Sequence, residues 1–297
     1  MKKRFFGLER NIFLLGITSF FNDISGQMVV SIFPAFVIST LKSGAATLGL
    51  VEGIADGFAN VVKVFSGHIS DRLQKRKAFV IAGYTLSTFT RPLYMVFASV
   101  GGMIGLRVID RVGKGLREAP RDAIISLASP KEELGRSFGY HRAMDTVGAV
   151  IGPFIAYLIL ARFPEQFGYV FITAFILGFL AILTVFFVDD VRGAVASKAL
   201  SLKNMKLLTP QVNLYLVSIF FLSLGTLPIA VMLLKTQSLG LTLASIPLFY
   251  ALYNITYAGF SIVAGNVSDK RGPRVVIIAG YMTVSYTHLT LPTNREV

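Results

Sequence analysis

The feature that most restricts the fold is a succession of apolar segments, each close to the length of a membrane-spanning helix. A helix needs ~20 apolar residues to cross the hydrocarbon core of a bilayer. Such segments recur through the 297-residue sequence and are separated by short polar stretches. Because backbone inside a bilayer must satisfy its hydrogen bonds internally, the pattern predicts an all-α integral membrane protein. The predicted spans cover about 11–40, 45–66, 78–100, 101–116, 137–161, 168–188, 211–234 and 243–264, and a ninth begins near 275.

The composition agrees with this prediction and excludes several kinds of site. Hydrophobic residues make up 54% of the chain and charged residues 15%, against roughly 25% charged residues in soluble domains. The chain has no Cys and only three His, none at metal-ligand spacing, so we expect no metal and no cofactor. The net charge of +13 is typical of nucleic-acid binding, but the cations lie in short loops between apolar runs. This placement favours membrane orientation and no nucleic-acid partner.

A polar segment at 67–77 is repeated in degraded form at 265–274. The offset is 198 residues from Asp71 to Asp269, and 197 residues from Gly83 to Gly280 just after it. A duplicated short loop between apolar helices predicts two structural halves, as in membrane transporters with internal repeats. The predicted division is a six-helix bundle at 1–188, a cytoplasmic linker at 189–210, a partial second bundle at 211–285 and a tail at 286–297.

The first copy resembles the loop between the second and third helices of the major facilitator superfamily, roughly G-x-L-x-D-R-x-G-R-K. Gln74 stands where the family has its second Gly, whereas the second copy keeps that Gly as Gly272. The resemblance implies two six-helix bundles around a central cavity and alternating access. It also implies that Asp71, expected at the start of the third helix, latches the two halves. The gating residues that it implies are Gly67, Asp71, Arg72, Lys75 and Arg76, with Gly265, Asp269, Lys270, Gly272 and Arg274 in the second copy.

The end of the chain departs from the family pattern. The apolar run that begins at Val275 lasts only to about Ser285, roughly half a span. We therefore predict a family member truncated after about nine spans, in which 286–297 are non-native or out of frame. A genuine short variant is the alternative interpretation.

Charged and amide side chains inside the predicted spans are the candidate cavity or coupling residues. Ionisable residues within a bilayer are costly and are functional candidates by default. They are Asn22, Asp23, Glu52, Asp56, Arg107, Asp110, Arg111, Arg142 and Asp145. The alternative is that Glu52 or Asp56 pairs with Lys63 or another helix only to neutralise charge. Arg107 with Gly113 and Gly115 resembles the family's fourth-helix motif, which implies a link to proton coupling. We hypothesise that at least one of Asp23, Glu52 and Asp56 carries the coupling proton, with Arg107 as a partner.

Two further patterns have a structural and a functional interpretation. Gly148, Gly152 and Pro153 resemble the family's fifth-helix antiporter motif, which implies exchange chemistry, but ordinary close packing would use the same glycines. For Lys114, Arg117 and Arg121 we favour an ion-pair network with Glu118 and Asp122. The Arg91-Pro92 pair in the third span is also interpreted as structural.

Loop cations set the orientation. The N-terminal segment, the motif loop and the linker carry four Lys or Arg each, whereas the alternate loops carry at most one. The N-terminus is therefore predicted to be cytoplasmic, in a monomer that crosses the inner membrane many times. We expect a proton-coupled secondary transporter of a small solute, with export by antiport favoured over uptake of an organic anion by symport. A membrane sensor that binds without transport is a rival, and the absence of a nucleophile or metal constellation argues against an enzyme.

Overall fold

The computed structural model describes residues 4–5, 7–41, 45–97, 99–193, 210–224, 229, 232–233, 242 and 244–290. An antiparallel pair of two-residue strands, β1 (Arg4–Phe5) and β2 (Leu8–Glu9), precedes the helices. The described helices are α1 (Arg10–Leu41), α2 (Ala45–Leu73), α3 (Arg76–Leu93), α4 (Val100–Ala128), α5 (Leu134–Arg162), α6 (Phe167–Phe186), α7 (Pro210–Leu224), α8 (Ser245–Arg271) and α9 (Pro273–Thr290). The predicted all-α fold is confirmed.

Helix α1 is the central element of the first half. It is buried along most of its length and packs mainly against α5 and α6. Its residues Met28, Ile32 and Phe36 belong to one apolar core, which Phe167 and Phe171 of α6 join. Other large apolar side chains on α5 and α6 are exposed, as expected of helices that face lipid.

Glycines allow the helices of the first half to approach closely. A Cβ at Gly148 or Gly152 of α5 would overlap backbone oxygens of Phe20 or Ile24 in α1. The predicted packing role of these two glycines is therefore visible in the fold, and Pro153 beside them is buried. Two further contacts were not predicted: Gly113 of α4 packs on Gly83 of α3, and Gly115 packs on Ala59 of α2.

Some element boundaries differ from the prediction. The third helix ends at Leu93 rather than near 100, because Pro92 lies in its last turn and Ser99 caps α4 by accepting a hydrogen bond from the Gly102 N–H. Helix α9 continues to Thr290, past the predicted end at 285. Residues 291–297 of the predicted tail and 194–209 of the predicted linker lie outside the described residues.

The structure forms two compact units, Met1–Ala251 and Leu252–Val297. Division at the 189–210 linker stays a prediction. By length and apolar composition, three segments of the described chain qualify as membrane spans: Arg10–Ser39, Lys131–Arg162 and Phe167–Phe186. Helices α2, α3 and α4 are not among these three segments. Charged residues of α3 and α4 line the cavity described next.

Candidate functional site

A polar cavity of about 310 Å³ lies among α1, α3, α4 and α5. Ten of its lining residues are charged, an unusual content between apolar helices. Its described basic residues are Arg91, Arg111, Lys114, Arg117, Arg121 and Arg142, and its acidic residues are Asp23, Asp110, Glu118 and Asp145. The described lining therefore carries six formal positive charges and four formal negative charges.

Six of the nine predicted cavity or coupling residues line this cavity. They are Asn22, Asp23, Asp110, Arg111, Arg142 and Asp145. The other three, Glu52, Asp56 and Arg107, are not part of its lining and form ion pairs between α2 and α4. The prediction thus found residues of two adjoining sites rather than of one.

Glu52 forms ion pairs with two arginines of α4. Arg107 places Nη2 at 2.7 Å and Nε at 2.8 Å from Glu52 Oε1, and Arg111 Nη2 lies 3.1 Å from Oε2. Glu52 is 5% exposed and Arg107 1% exposed, so the pair is withdrawn from solvent. Arg107 also lies over the Phe33 ring, 4.8 Å from its centroid. The predicted Glu52–Arg107 partnership is present in the structure.

Asp56 interacts more weakly with the cluster that Glu52, Arg107 and Arg111 form. Its Oδ1 lies 3.0 Å from Arg111 Nε, and its side chain is 56% exposed. The Arg111 Nε–H nevertheless forms no hydrogen bond in the described structure. Asp56 therefore adds charge complementarity to the cluster but little directional bonding.

The expected ion-pair network at the end of α4 is present with one exception. Glu118 pairs with Lys63 at 2.8 Å and with Lys114 at 3.6 Å, and Arg121 pairs with Asp122 at 3.0 Å. The exception is Arg117. It donates to Ser87 Oγ at 2.8 Å and lies 4.7 Å from the centre of the Tyr84 ring.

Asp110 lies 3.5 Å from Arg107 Nη1, whereas two other cavity acids, Asp23 and Asp145, face the cavity from α1 and α5. Asp23 accepts a hydrogen bond from Asn22 Nδ2 at 3.2 Å, and no cation lies within 4.0 Å of it among the described residues. Asp145 accepts a hydrogen bond from Ser19 of α1 and is 3.5 Å from His141 Nδ1. Arg142 lies 4.0 Å from Asp145, and its side chain is 70% exposed.

Arg91 is a cavity residue that the sequence analysis had interpreted as structural. It is 3% exposed, donates to Ser25 Oγ, and donates to the Ala174 carbonyl at 3.2 Å and to Asn22 Oδ1 at 3.4 Å. The signal that could have identified it was simple: it is an arginine inside an apolar span.

The first gating motif forms a tight turn, and Asp71 is not where it was expected. Asp71 lies in the last turn of α2, not at the start of α3, because α2 continues to Leu73. Gln74 follows in the left-handed conformation with φ 52°, at the position where the family has Gly. Its side chain bonds the Asp71 carbonyl at 2.6 Å and the Gly193 N–H at 2.9 Å.

Arg76 joins this turn to the segment after α6. Its side chain is fully buried, with Nη2 2.6 Å from Asp71 Oδ1, and it donates to the carbonyls of Val191 and Gly193 at 3.0 and 2.9 Å. Arg72 and Lys75 are exposed, and Gly67 packs near Ala119 of α4.

The second copy repeats the backbone geometry of the first. Gly265, Asp269 and Lys270 belong to α8, and Arg274 is in the first turn of α9. Gly272, between the two helices, has φ 85° and so occupies the left-handed position that Gln74 occupies in the first copy. Lys270 and Arg274 are exposed, and the side chain of Asp269 lies outside the described residues. In the described part of the chain, no group of three or more His, Cys, Asp or Glu is placed to hold a metal ion.

Comparison with known proteins gives a consistent result. The family model for the Major Facilitator Superfamily matches residues 15–293. The chain is 34% identical, over 288 residues, to an uncharacterized MFS-type transporter of Methanocaldococcus jannaschii, covering 95% of this chain and 72% of that protein. It is 26% identical over 200 residues to the quinolone resistance protein NorA of Staphylococcus aureus, covering 66% of this chain and 48% of that one.

Solved structures with a similar fold are also transporters. A nucleoside transporter matches with a TM-score of 0.72 and 17% identity, covering 89% of this chain and 69% of its own. A D-xylose–proton symporter matches with a TM-score of 0.59 and 14% identity, covering 87% and 68%. At such identities the likeness concerns the fold alone. Together with the family match over most of the sequence, it establishes that the chain belongs to the major facilitator superfamily of membrane transporters.

Proposed function

We propose that this chain moves a small solute across the inner membrane in exchange for protons, and that the charged cavity of the first half contributes to the solute path. The observation that supports this proposal is the cavity itself, with ten charged side chains among apolar helices. Its volume of about 310 Å³ lies at the lower end of the range of small-molecule sites. Intramembrane charge that serves no path would be costly to retain.

The geometry favours Asp23 as the proton-carrying group. Of the three carboxylates proposed from the sequence, Glu52 and Asp56 are engaged with Arg107 and Arg111, so their charges compensate those arginines. Asp23 instead faces the cavity without a cation within 4.0 Å in the described structure, and Asp145 faces the same cavity from α5. A carboxylate in this position can gain or lose a proton without leaving a buried arginine unpaired.

Two observations support export. The α5 glycines that resemble the antiporter motif pack directly on the segment of α1 that carries Asp23. NorA, a relative over two thirds of this chain, is named as a resistance protein. The six-to-four excess of cations in the lining favours the second candidate function, uptake of an organic anion by symport with protons.

Both candidates are tested by comparing cells that express the chain with cells that express Asp23→Asn. We expect at least one small solute to be lower in the cytoplasm and higher in the medium of the first line, by mass spectrometry. A protonophore should abolish the difference, because export depends on the pH gradient. Higher cytoplasmic solute would support symport instead, and identical solute contents in the two lines would exclude proton coupling through Asp23 in either candidate.

The orientation is tested by thiol labelling in a chain that has no native Cys. We propose that the turn between α2 and α3 is cytoplasmic and that the end of α5 is on the other side. Lys75 and Arg162 are exposed at these two positions, so single cysteines there should label from opposite faces of oriented vesicles. Labelling of both from one face would rule out the orientation.

A further inference from the structure

Two of the cavity arginines lack an acidic partner. Arg111, Lys114, Arg121 and Arg142 each have a carboxylate within 4.0 Å. For Arg91 and Arg117, no described carboxylate comes that close, although they are only 3% and 8% exposed. The cavity acids, Asp110 among them, act on these two guanidinium groups only from beyond 4.0 Å, so each group can still take an anion in direct contact.

Neutral groups orient both arginines without neutralising them. Arg91 donates to one hydroxyl, one carbonyl and one amide oxygen. The Arg117 side chain has one hydrogen bond within the described part of the chain, to Ser87, although a guanidinium carries five donors. These contacts fix the direction of each guanidinium and leave N–H groups for a ligand in the cavity.

Both arginines are anchored at one small region of α3: Arg91 is part of that helix, and Arg117 reaches it from α4. Arg117 bonds Ser87, and Ser87 is four residues before Arg91 on the same helix. Residues at this spacing are neighbours on a helix surface, with Cβ atoms about 5–6 Å apart. The α3–α4 wall of the cavity presents five cations, Arg91 and Arg117 among them, and two acids. The α1–α5 wall presents the acids Asp23 and Asp145 and one cation, Arg142.

A hydrogen-bonded chain links the two walls. Asn22 accepts from Arg91 through Oδ1 and donates to Asp23 through Nδ2. A ligand that shifts Arg91 would therefore change its hydrogen bond to Asn22. Through Asn22, it would also change the hydrogen bond to Asp23, the proposed proton carrier.

We propose that Arg91 and Arg117 bind the oxyanion group, a carboxylate or a phosphate, of the solute that this protein carries. Planar guanidinium groups match both oxyanions with paired hydrogen bonds. The proposal rests on the proposed function, in which the cavity is part of the solute path. It differs from the Arg107 site, where Glu52 already supplies the counter-charge.

Gly26 provides a probe position. It lines the cavity, and a Cβ added there would lie 4.0 Å from Arg91 Nη2. Gly26→Cys therefore puts a single thiol beside Arg91 in a chain without other cysteines. An anionic and a cationic methanethiosulfonate each convert this thiol to a mixed disulfide and release methanesulfinate. The ratio of the two rates is measured and normalised to the same ratio for 2-mercaptoethanol. The ratio cancels any change in ionisation of the thiol itself.

We expect the normalised ratio to favour the anionic reagent by at least about tenfold, because unit charges a few ångström apart interact strongly in a partly dry site. Arg91→Gln and Arg117→Gln, each in the Gly26→Cys chain, should both lower the ratio. Arg162→Gln, an exposed arginine at the end of α5, should leave it unchanged. A ratio near one, or one that neither cavity variant lowers, would overturn the proposal.

Protection by ligands tests the oxyanion directly. Inorganic phosphate or benzoate, against sodium chloride at equal ionic strength, should slow alkylation of Gly26→Cys by uncharged N-ethylmaleimide. The alkylation rate should fall about twofold when the concentration of the added anion equals its dissociation constant. This protection should be absent in the Arg91→Gln variant. Protection by phosphate alone assigns a phosphate site and protection by benzoate alone a carboxylate site. Tetraethylammonium should not protect.

Failure of protection by both anions would overturn the anion site. No proton gradient is present in this assay, so phosphate or benzoate would still protect the thiol in an anion carrier that lacks proton coupling. In a proton-coupled carrier of a cation, neither anion would protect the thiol, although solute export from cells would continue. The two proposals can therefore fail separately.

Discussion

Replacing Glu52 by Gln is expected to destabilise the folded protein by about 3–5 kcal/mol, because it leaves a buried arginine without its main counter-charge. Arg107 is 1% exposed and contacts both Glu52 Oε1 and, at 3.5 Å, Asp110. Gln keeps the shape and one acceptor oxygen but not the charge. The midpoint of thermal unfolding of the purified protein in detergent should fall by roughly 10 °C.

Asp56→Asn is the matched control. Asp56 lies one turn along α2 and contacts Arg111, which Glu52 also contacts, but its side chain is 56% exposed. An exposed pair contributes at most about 1 kcal/mol, so this variant should unfold close to the wild-type temperature. The double variant Glu52→Gln, Arg107→Gln removes both charges and should recover part of the loss. Equal unfolding temperatures for Glu52→Gln and Asp56→Asn would refute the assigned role of Glu52.

The helices were predictable because a bilayer imposes a strong rule on sequence. Long apolar runs leave few alternatives to membrane helices, and the repeat at Asp71 and Asp269 placed equivalent turns between helix pairs. Close packing at Gly148 and Gly152 was predictable from their spacing, because small residues four positions apart permit close helix contact. Gly53 and Gly57 of α2 have the same spacing, yet a Cβ at either position meets no described atom within 4 Å. Spacing alone does not say which face meets a neighbour.

The turn after α2 shows a second limit. Left-handed backbone is expected at Gly, and Gln74 carries no such signal. Its conformation is supported by bonds to the Asp71 carbonyl and to Gly193, a residue 119 positions away. Sequence reasoning therefore placed the motif but put Asp71 on the wrong helix.

The cavity could be predicted only in part. Their position inside apolar spans identified the polar residues of α1, α4 and α5, whereas their meeting point depends on helix crossings. The Gly83–Gly113 contact, which holds α3 against α4, joins glycines on separate helices. That crossing brings Arg117 to Ser87, next to Arg91 on α3. Arg91 was therefore undervalued, because its importance depends on what α1, α4 and α6 place around it.

The cavity geometry makes Asp23→Asn the most informative change for coupling. Asn preserves the side-chain size and the hydrogen bond to Asn22 but cannot carry a proton at neutral pH. In proteoliposomes loaded with the solute identified from cells, this variant should lose all accumulation driven by a pH difference. Exchange of solute at equal pH on both sides should continue, because the arginines of the α3–α4 wall are unchanged.

Asp145→Asn and Asp56→Asn separate the position of Asp23 from a general need for acidic residues. Asp145 shares the cavity with Asp23, and its charge acts on the same space. The Asp145→Asn variant should therefore accumulate less solute than the wild type under a pH difference. Asp56 is engaged with Arg111 outside the cavity lining, so its neutral variant should still accumulate solute. If Asp23→Asn accumulates solute as well as the wild type does, Asp23 is not the proton carrier. A loss confined to Asp145→Asn would transfer that role to α5, and unchanged accumulation in all three variants would exclude proton coupling through these carboxylates.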